Sequence, residues 1–242
     1  MRKTLFVDCE TTGIDPARHG IVQMAMLMDI DGYVEDKLMV KCQPFYYDEF
    51  ILSDGTSPQY CSLVFSDQLE TAQTPTGIKL SEIITYQKPQ EAFAQVLAFL
   101  DKHISKFDKA DKAYFGAYNA KFDLDFLSAF FKKNVNNFLG SYLNYHFCDP
   151  LPILHMREWC LLAGYPLENY KLSTVCKAFD IPLIEHDPLS DIEACREVWY
   201  HLVGATNIKA CCVCGKRGDR RGPDRVNWFC QNHYETDVEG RQ

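Results

Sequence analysis

Leu5-Phe6-Val7 is an apolar run that reads as a buried strand, and it runs directly into Asp8-Cys9-Glu10-Thr11-Thr12-Gly13. Side chains alternate along a strand, so Asp8 and Glu10 point to one face. Two like charges about 4 Å apart repel by about 4 kcal/mol at an effective dielectric of 20. A chain that places two carboxylates at the end of a core strand must offset that repulsion somewhere.

The pattern downstream predicts the frame around this strand. Residues 21–30 and 33–42 are strand-like, and Asp31-Gly32 between them is a hairpin turn signal. Residues 43–76 hold many turn formers and no clear period, and read as an irregular insertion. Pro89 opens a helix in which Ala92, Phe93, Val96, Leu97, Leu100 and Ile104 recur at helical spacing. A short strand at 112–118 precedes a helix with Phe122, Phe126, Leu127, Phe130 and Phe131 on one stripe. Another strand is expected at 145–149, with helices at 151–163, 172–179 and 191–203. In the last helix Ile192, Cys195, Val198, Trp199 and Leu202 form the expected core face. Three strands in a meander followed by alternating helix and strand imply an α/β fold, a mixed sheet flanked by helices.

Other acids then join Asp8 and Glu10. Asn119 and Asp123 fall just after a second core strand, at the start of a helix. His186 stands ahead of Asp191, which lies near the N-terminus of the last long helix. Taken singly, Asp123 and Asp191 read as first-turn or capping acids, and His186 as a loop histidine. The net charge of −8 argues against a general nucleic-acid coat protein. It does not argue against a nuclease, whose metal-binding carboxylates count as negative until the metals bind.

Together these residues resemble the DEDDh exonucleases, the group of proofreading exonuclease subunits and RNase T-like enzymes. The resemblance rests on D-x-E-T-T-G at Asp8–Gly13, N-x-x-F-D-x-x-F-L from Asn119 through Asp123 to Leu127, and H-x-x-x-x-D at His186 and Asp191. "TGIK" (76–79), "FCDPL" (147–151) and "YKLSTVCKAFDIP" (170–182) agree in smaller details, and the likeness covers about residues 3 to 204. It departs where the family has Gly-His before the motif-two Asn and this chain has Ala117-Tyr118. The insertion at 43–76 also has no family counterpart.

The resemblance implies a ribonuclease-H-like five-stranded sheet and a 3′–5′ exonuclease that releases nucleoside 5′-monophosphates. The implied substrate is a single-stranded nucleic acid 3′ end, DNA ahead of RNA. Asp8, Glu10, Asp123 and Asp191 would hold two Mg²⁺ or Mn²⁺ ions, whose +4 cancels their −4, and His186 would be the general base. Thr11 and Thr12 would lie under the terminal nucleotide, and Asn119 would orient the motif-two loop or a phosphate. The alternative on the same scaffold is a polymerase-associated proofreading or nucleic-acid-binding accessory protein.

Eleven cysteines are present. Cys9, Cys42, Cys61, Cys148, Cys160, Cys176 and Cys195 are scattered in apolar or helical contexts and read as buried thiols of a reducing compartment. The other four crowd into 211–230. Cys211, Cys214, Cys230 and His233 are spaced C-x2-C-x15-C-x2-H, a zinc-ribbon or treble-clef signature for one structural Zn²⁺. Cys212 in place of Cys211 would give a C-x-C pair, a poorer chelate. Between the ligand pairs lie five basic residues, Lys216, Arg217, Arg220, Arg221 and Arg225, which form either a solvated loop or a phosphate grip. Trp228 and Phe229 suit either the module's small core or base stacking. The expected division is therefore 1–205, exonuclease domain, and 206–242, zinc-binding module. No run of 18 apolar residues occurs and Met1-Arg2-Lys3 leads straight into a strand, so the expected setting is cytoplasmic, with no membrane partner.

Overall fold

In the computed structural model the described residues are 1–45, 74–75, 77–159 and 167–203, with the backbone of 220–221 and 228–229. β1 (Lys3–Thr11) pairs antiparallel with β2 (Ile21–Ile30), which pairs antiparallel with β3 (Tyr33–Lys41). The turn between β2 and β3 is where the sequence places it. Asp31 and Gly32 both take positive φ, 53° and 90°, the paired left-handed geometry that matches the twist of a two-residue hairpin. Asp29 Oδ1 accepts the Gly32 N–H at 2.8 Å and fixes the turn from beneath.

The chain then crosses through α1 (Leu80–Ile83) and α2 (Pro89–His103) to β4 (Ala113–Gly116), which lies parallel to β1. α3 (Ala120–Lys133) and a short 3-10 turn lead to β5 (Leu143–Cys148), parallel to β4. The five strands stand in the order β3-β2-β1-β4-β5. This is the mixed α/β sheet expected from the meander and the alternating pattern. After β5 come α4 (Pro150–Trp159), α5 (Leu172–Ala178) and α6 (Pro188–Leu202).

Strand alternation sorts the core into two layers. Leu5, Val7 and Cys9 of β1, with Met24, Met26 and Met28 of β2, face Phe93 and Val96 of α2 and Phe126 and Phe130 of α3. The other face carries Phe6, Ala25 and Leu27, which pack on Ile192 and Cys195 of α6. Each fully buried Phe or Leu contributes about 1.5–3 kcal/mol. These layers dock α3 on one side of β1 and α6 on the other.

Several boundaries differ from the sequence reading. The last helix begins at Pro188 rather than 191, because Asp187 is its N-cap: its carboxylate accepts the N–H groups of Leu189 and Ser190 at 3.0 and 3.1 Å. Trp199 is only half-buried, while Arg196 and Tyr200 are buried. Cys9, Cys42, Cys148, Cys176 and Cys195 are buried free thiols, whereas Cys61 and Cys160 lie outside the described residues. The insertion at 43–76 falls almost wholly outside them too, as do Cys211, Cys214, Cys230 and His233. Between those ligand pairs, β6 (Arg220–Arg221) and β7 (Trp228–Phe229) form an antiparallel pair. No helix among the described residues is long and apolar enough to cross a membrane.

Candidate active site

Phe6, Asp8 and Glu10 share the face of β1 that looks at α6. Phe6 is covered by Ile192 and Cys195, and one turn earlier α6 presents Asp191. Carboxylate oxygens of Asp8, Glu10 and Asp191 lie within 4.8 Å of one another. The β1–β2 register shifts between Glu10 and Thr11, a bulge at the point where the strand leaves the core.

Asp123 arrives from the opposite face of the sheet. It is buried on the first turn of α3, and its Oδ1 accepts the Cys9 N–H at 3.0 Å. This backbone bond anchors the helix to the peptide between the two β1 acids. Asp123 thus stands beside Asp8, and its charge acts on it. Cys9 itself points into the α3 layer, and burial pushes its thiol pKa well up, which keeps it protonated.

The electrostatics record the cost of this grouping. Burial, then Asp123, Asp191 and Glu10, hold the Asp8 carboxyl well above its ordinary value. Burial pushes Asp123 up to about 8 against the pull of the Cys9 N–H. Asp191 is pushed up to about 6, by burial first and Glu10 second, and only His186 pulls it down. Among the described residues no lysine or arginine forms an ion pair with any of the four acids. An all-oxygen donor set with surplus negative charge fits hard divalent cations such as Mg²⁺ or Mn²⁺.

His186 is exposed and sits in the turn before α6 with φ 64°. It is not one of the clustered ligand groups, but its charge reaches Asp191. Thr11 and Thr12 are buried, and their hydroxyls are used by the loop that follows β1. Thr11 Oγ1 donates to the Gly13 carbonyl at 2.6 Å, and Thr12 Oγ1 accepts the Gly20 N–H at 3.0 Å. Gly13 is required there, since a Cβ would meet the His19 ring at 2.5 Å.

Asn119 is exposed, takes the left-handed conformation at φ 66°, and precedes α3. Its N–H donates to Asp149 Oδ1 at 3.1 Å, and the Ala120 N–H donates to Asp149 Oδ2 at 2.8 Å. The Leu151 N–H also reaches Asp149 Oδ1, at 3.0 Å. Asp149 therefore clamps the start of α3, and with it Asp123, to the end of β5. The Asp-Pro at this strand–helix junction is the sequence signal for that role.

This sheet order and helix placement define a ribonuclease-H-like α/β fold. Solved structures of exonuclease I are similar to it. A product-bound exonuclease I matches with a TM-score of 0.60 and 17% identity, over 85% of this chain and 44% of that one. A zinc-bound complex of E. coli exonuclease I with single-stranded DNA matches with a TM-score of 0.62 and 20% identity, over 86% and 41%. A moderately thermophilic exonuclease I from Methylocaldum szegediense gives 0.62 and 18%, over 86% and 41%. The chain thus spans less than half the length of these structures. No protein-family model and no curated protein sequence matches it.

Proposed function

We propose that the chain is a metal-dependent 3′–5′ exonuclease acting on single-stranded nucleic acid, DNA ahead of RNA. The observation that carries this is the meeting of Asp8, Glu10 and Asp191 within 4.8 Å, with Asp123 beside them and, among the described residues, no lysine or arginine in an ion pair with them. The likeness of fold to exonuclease I, one example of which is complexed with single-stranded DNA, supports the reading. So does the ordered set of motifs.

In this reading Asp8, Glu10, Asp123 and Asp191 would hold two Mg²⁺ or Mn²⁺ ions, which would supply charge neutralisation at the scissile phosphate and ease deprotonation of the attacking water. His186 accepts the proton of that water. Its position at the rim, on a turn anchored by the Asp187 cap, lets it face solvent and substrate together. The loop built on Thr11 and Thr12 forms the bed of the terminal nucleotide. Asn119, held by Asp149, presents its exposed amide to a phosphate.

Residues 1–205 form the catalytic domain, and 206–242 a module on one Zn²⁺ held by Cys211, Cys214, Cys230 and His233. The antiparallel pair of β6 and β7 between the two ligand pairs supports that part of the reading. End-labelled single-stranded DNA, duplex DNA and RNA, each with Mg²⁺ or Mn²⁺, test the activity. The expected result is a ladder shortening from the 3′ end with release of 5′-mononucleotides, fastest on single-stranded DNA. Internal cleavage, or none in any metal, would reject it.

A further inference from the structure

Outside the acidic cluster, a groove of about 570 Å³ opens between α3 and the edge strand β5. Its floor is one face of β5. Leu143, Tyr145 and Phe147 line it, past a shift in the β4–β5 register, and Leu143 is buried while Tyr145 is 82% and Phe147 48% exposed. Its wall is the outer face of α3, where Leu124 and Lys132 lie two turns apart. Asp125 also lines the groove, but Lys121 neutralises it through an ion pair of 2.5 Å. With Lys112 and Lys132 the groove carries a local surplus of positive charge on a chain of net charge −8.

The register connects this groove to the acidic site. Phe6 of β1 stands level with Gly116 of β4, and Gly116 with Cys148 of β5. Asp8 is two residues past Phe6, and Phe147 one residue before Cys148. The groove's upper end therefore lies two strand spacings, roughly 10 Å, to the side of β1, on the α3 face of the sheet, opposite the α6 face that carries Asp8 and Glu10. The N-terminus of α3 spans the gap, and there Asn119 and Lys121 are exposed. Tyr145 and Phe147 line the same groove and offer π faces to bases, as stacking platforms for single strands do.

We infer that this groove is an exosite for the single strand behind its 3′ end. Bases a few nucleotides upstream stack on Phe147 and Tyr145, and phosphates approach Lys132 and Lys112. The inference rests on the exonuclease reading for its direction, from the acidic cluster over Asn119 and down α3. Charge and the aromatic pair favour a nucleic acid strand over a protein side chain as occupant.

Tyr145→Ala is the informative variant, because so exposed a side chain can be removed without opening the core; its melting temperature should equal the parent's. With a 5′-labelled oligodeoxythymidine of about ten nucleotides, the variant should raise KM by roughly five- to a hundredfold, the effect of losing one base–aromatic stack, and leave kcat unchanged. On a dinucleotide both constants should stay the same. Replacing the upstream bases of the oligonucleotide by abasic sites should raise the parent's KM and erase the difference between parent and variant. Binding of the same oligonucleotide followed by anisotropy in EDTA separates this inference from the activity. A weaker variant there supports the exosite even if no hydrolysis is found. Equal KM values and equal anisotropy curves, with hydrolysis intact, would overturn the exosite and leave the groove to a protein partner.

Discussion

At one end of α6, Asp191 meets Asp8 and Glu10; at the other, Arg196 and Tyr200 meet Asp29. Both clusters lie on the same face of the sheet, since Asp29 continues the alternation of Ala25 and Leu27 on β2 as Asp8 continues that of Phe6 on β1. Both are sheltered by the same helix. Asp29 is 1% exposed, yet every oxygen is answered: Arg196 Nε at 2.7 Å, Tyr200 Oη at 2.9 Å and the Gly32 N–H at 2.8 Å. Among the described residues, the four acids at the other end find the backbone N–H groups of Cys9 and Asp123 and the charge of His186. Where the chain wants a settled buried charge it supplies its own guanidinium. Where it leaves the charge open, the proposed function brings the counter-ion from solution. Removing a partner should therefore have opposite effects at the two ends.

The largest effect is expected for Asp8→Ala. Losing several kcal/mol of charge stabilisation corresponds to a rate lower by roughly a thousandfold or more. Without divalent metal its melting temperature should equal or exceed the parent's, because a repulsion has been relieved. Steady-state nuclease kinetics and thermal denaturation in EDTA check both halves. Next, His186→Ala should lower the rate by about 10²–10⁴, the range for loss of a general base, and leave Mn²⁺ affinity unchanged by calorimetry. A variant of near-parental rate would remove His186 from the chemistry and leave the metal site standing.

At the paired end the effect should fall on stability. Arg196→Ala strands Asp29 and should cost about 3–5 kcal/mol. This lowers the melting temperature by roughly 6–20 °C in a domain of this size. If instead Arg196→Ala were neutral for stability and Asp8→Ala strongly destabilising, the contrast between the ends would be reversed and the account wrong.

The smallest effect is a pH dependence of the metal-free protein. A carboxyl whose pKa is higher folded than unfolded binds its proton more tightly in the folded state, so folding is favoured at low pH and loses ground as pH rises through the folded value. Asp191 at about 6, Asp123 at about 8 and the raised Asp8 place that loss between about pH 4 and pH 8. Melting temperatures in EDTA should fall across this window, and Asp8→Asn should flatten the slope.

Much of the site was legible because strand and helix periods are strict. The spacing of Asp8 and Glu10 alone put them on one face, and the position of Asp123 just after a strand put it at a helix start. What was not legible depended on contacts between distant segments. Nothing local links Asp29 to Arg196, which are 167 residues apart. Asp149 looked like a strand end, and only the folded β5–α3 junction shows its carboxylate gathering three backbone N–H groups. The start of α6 was misplaced because Asp187 and Pro188 outrank the acid at Asp191 as a helix opening.

If the acids at the end of β1 are held together for divalent cations, the metal-free protein must bind them through Asp8. Calorimetric titration of the metal-free protein with Mn²⁺, repeated at pH 6.5 and 8.5 in buffers of different ionisation enthalpy, tests it most directly. The account predicts saturable binding that is lost in Asp8→Ala. It also predicts that protons are released as metal displaces them from Asp8, Asp123 and Asp191, more at pH 6.5 than at pH 8.5. Absence of binding at millimolar Mn²⁺, or binding that survives Asp8→Ala unchanged, would contradict it.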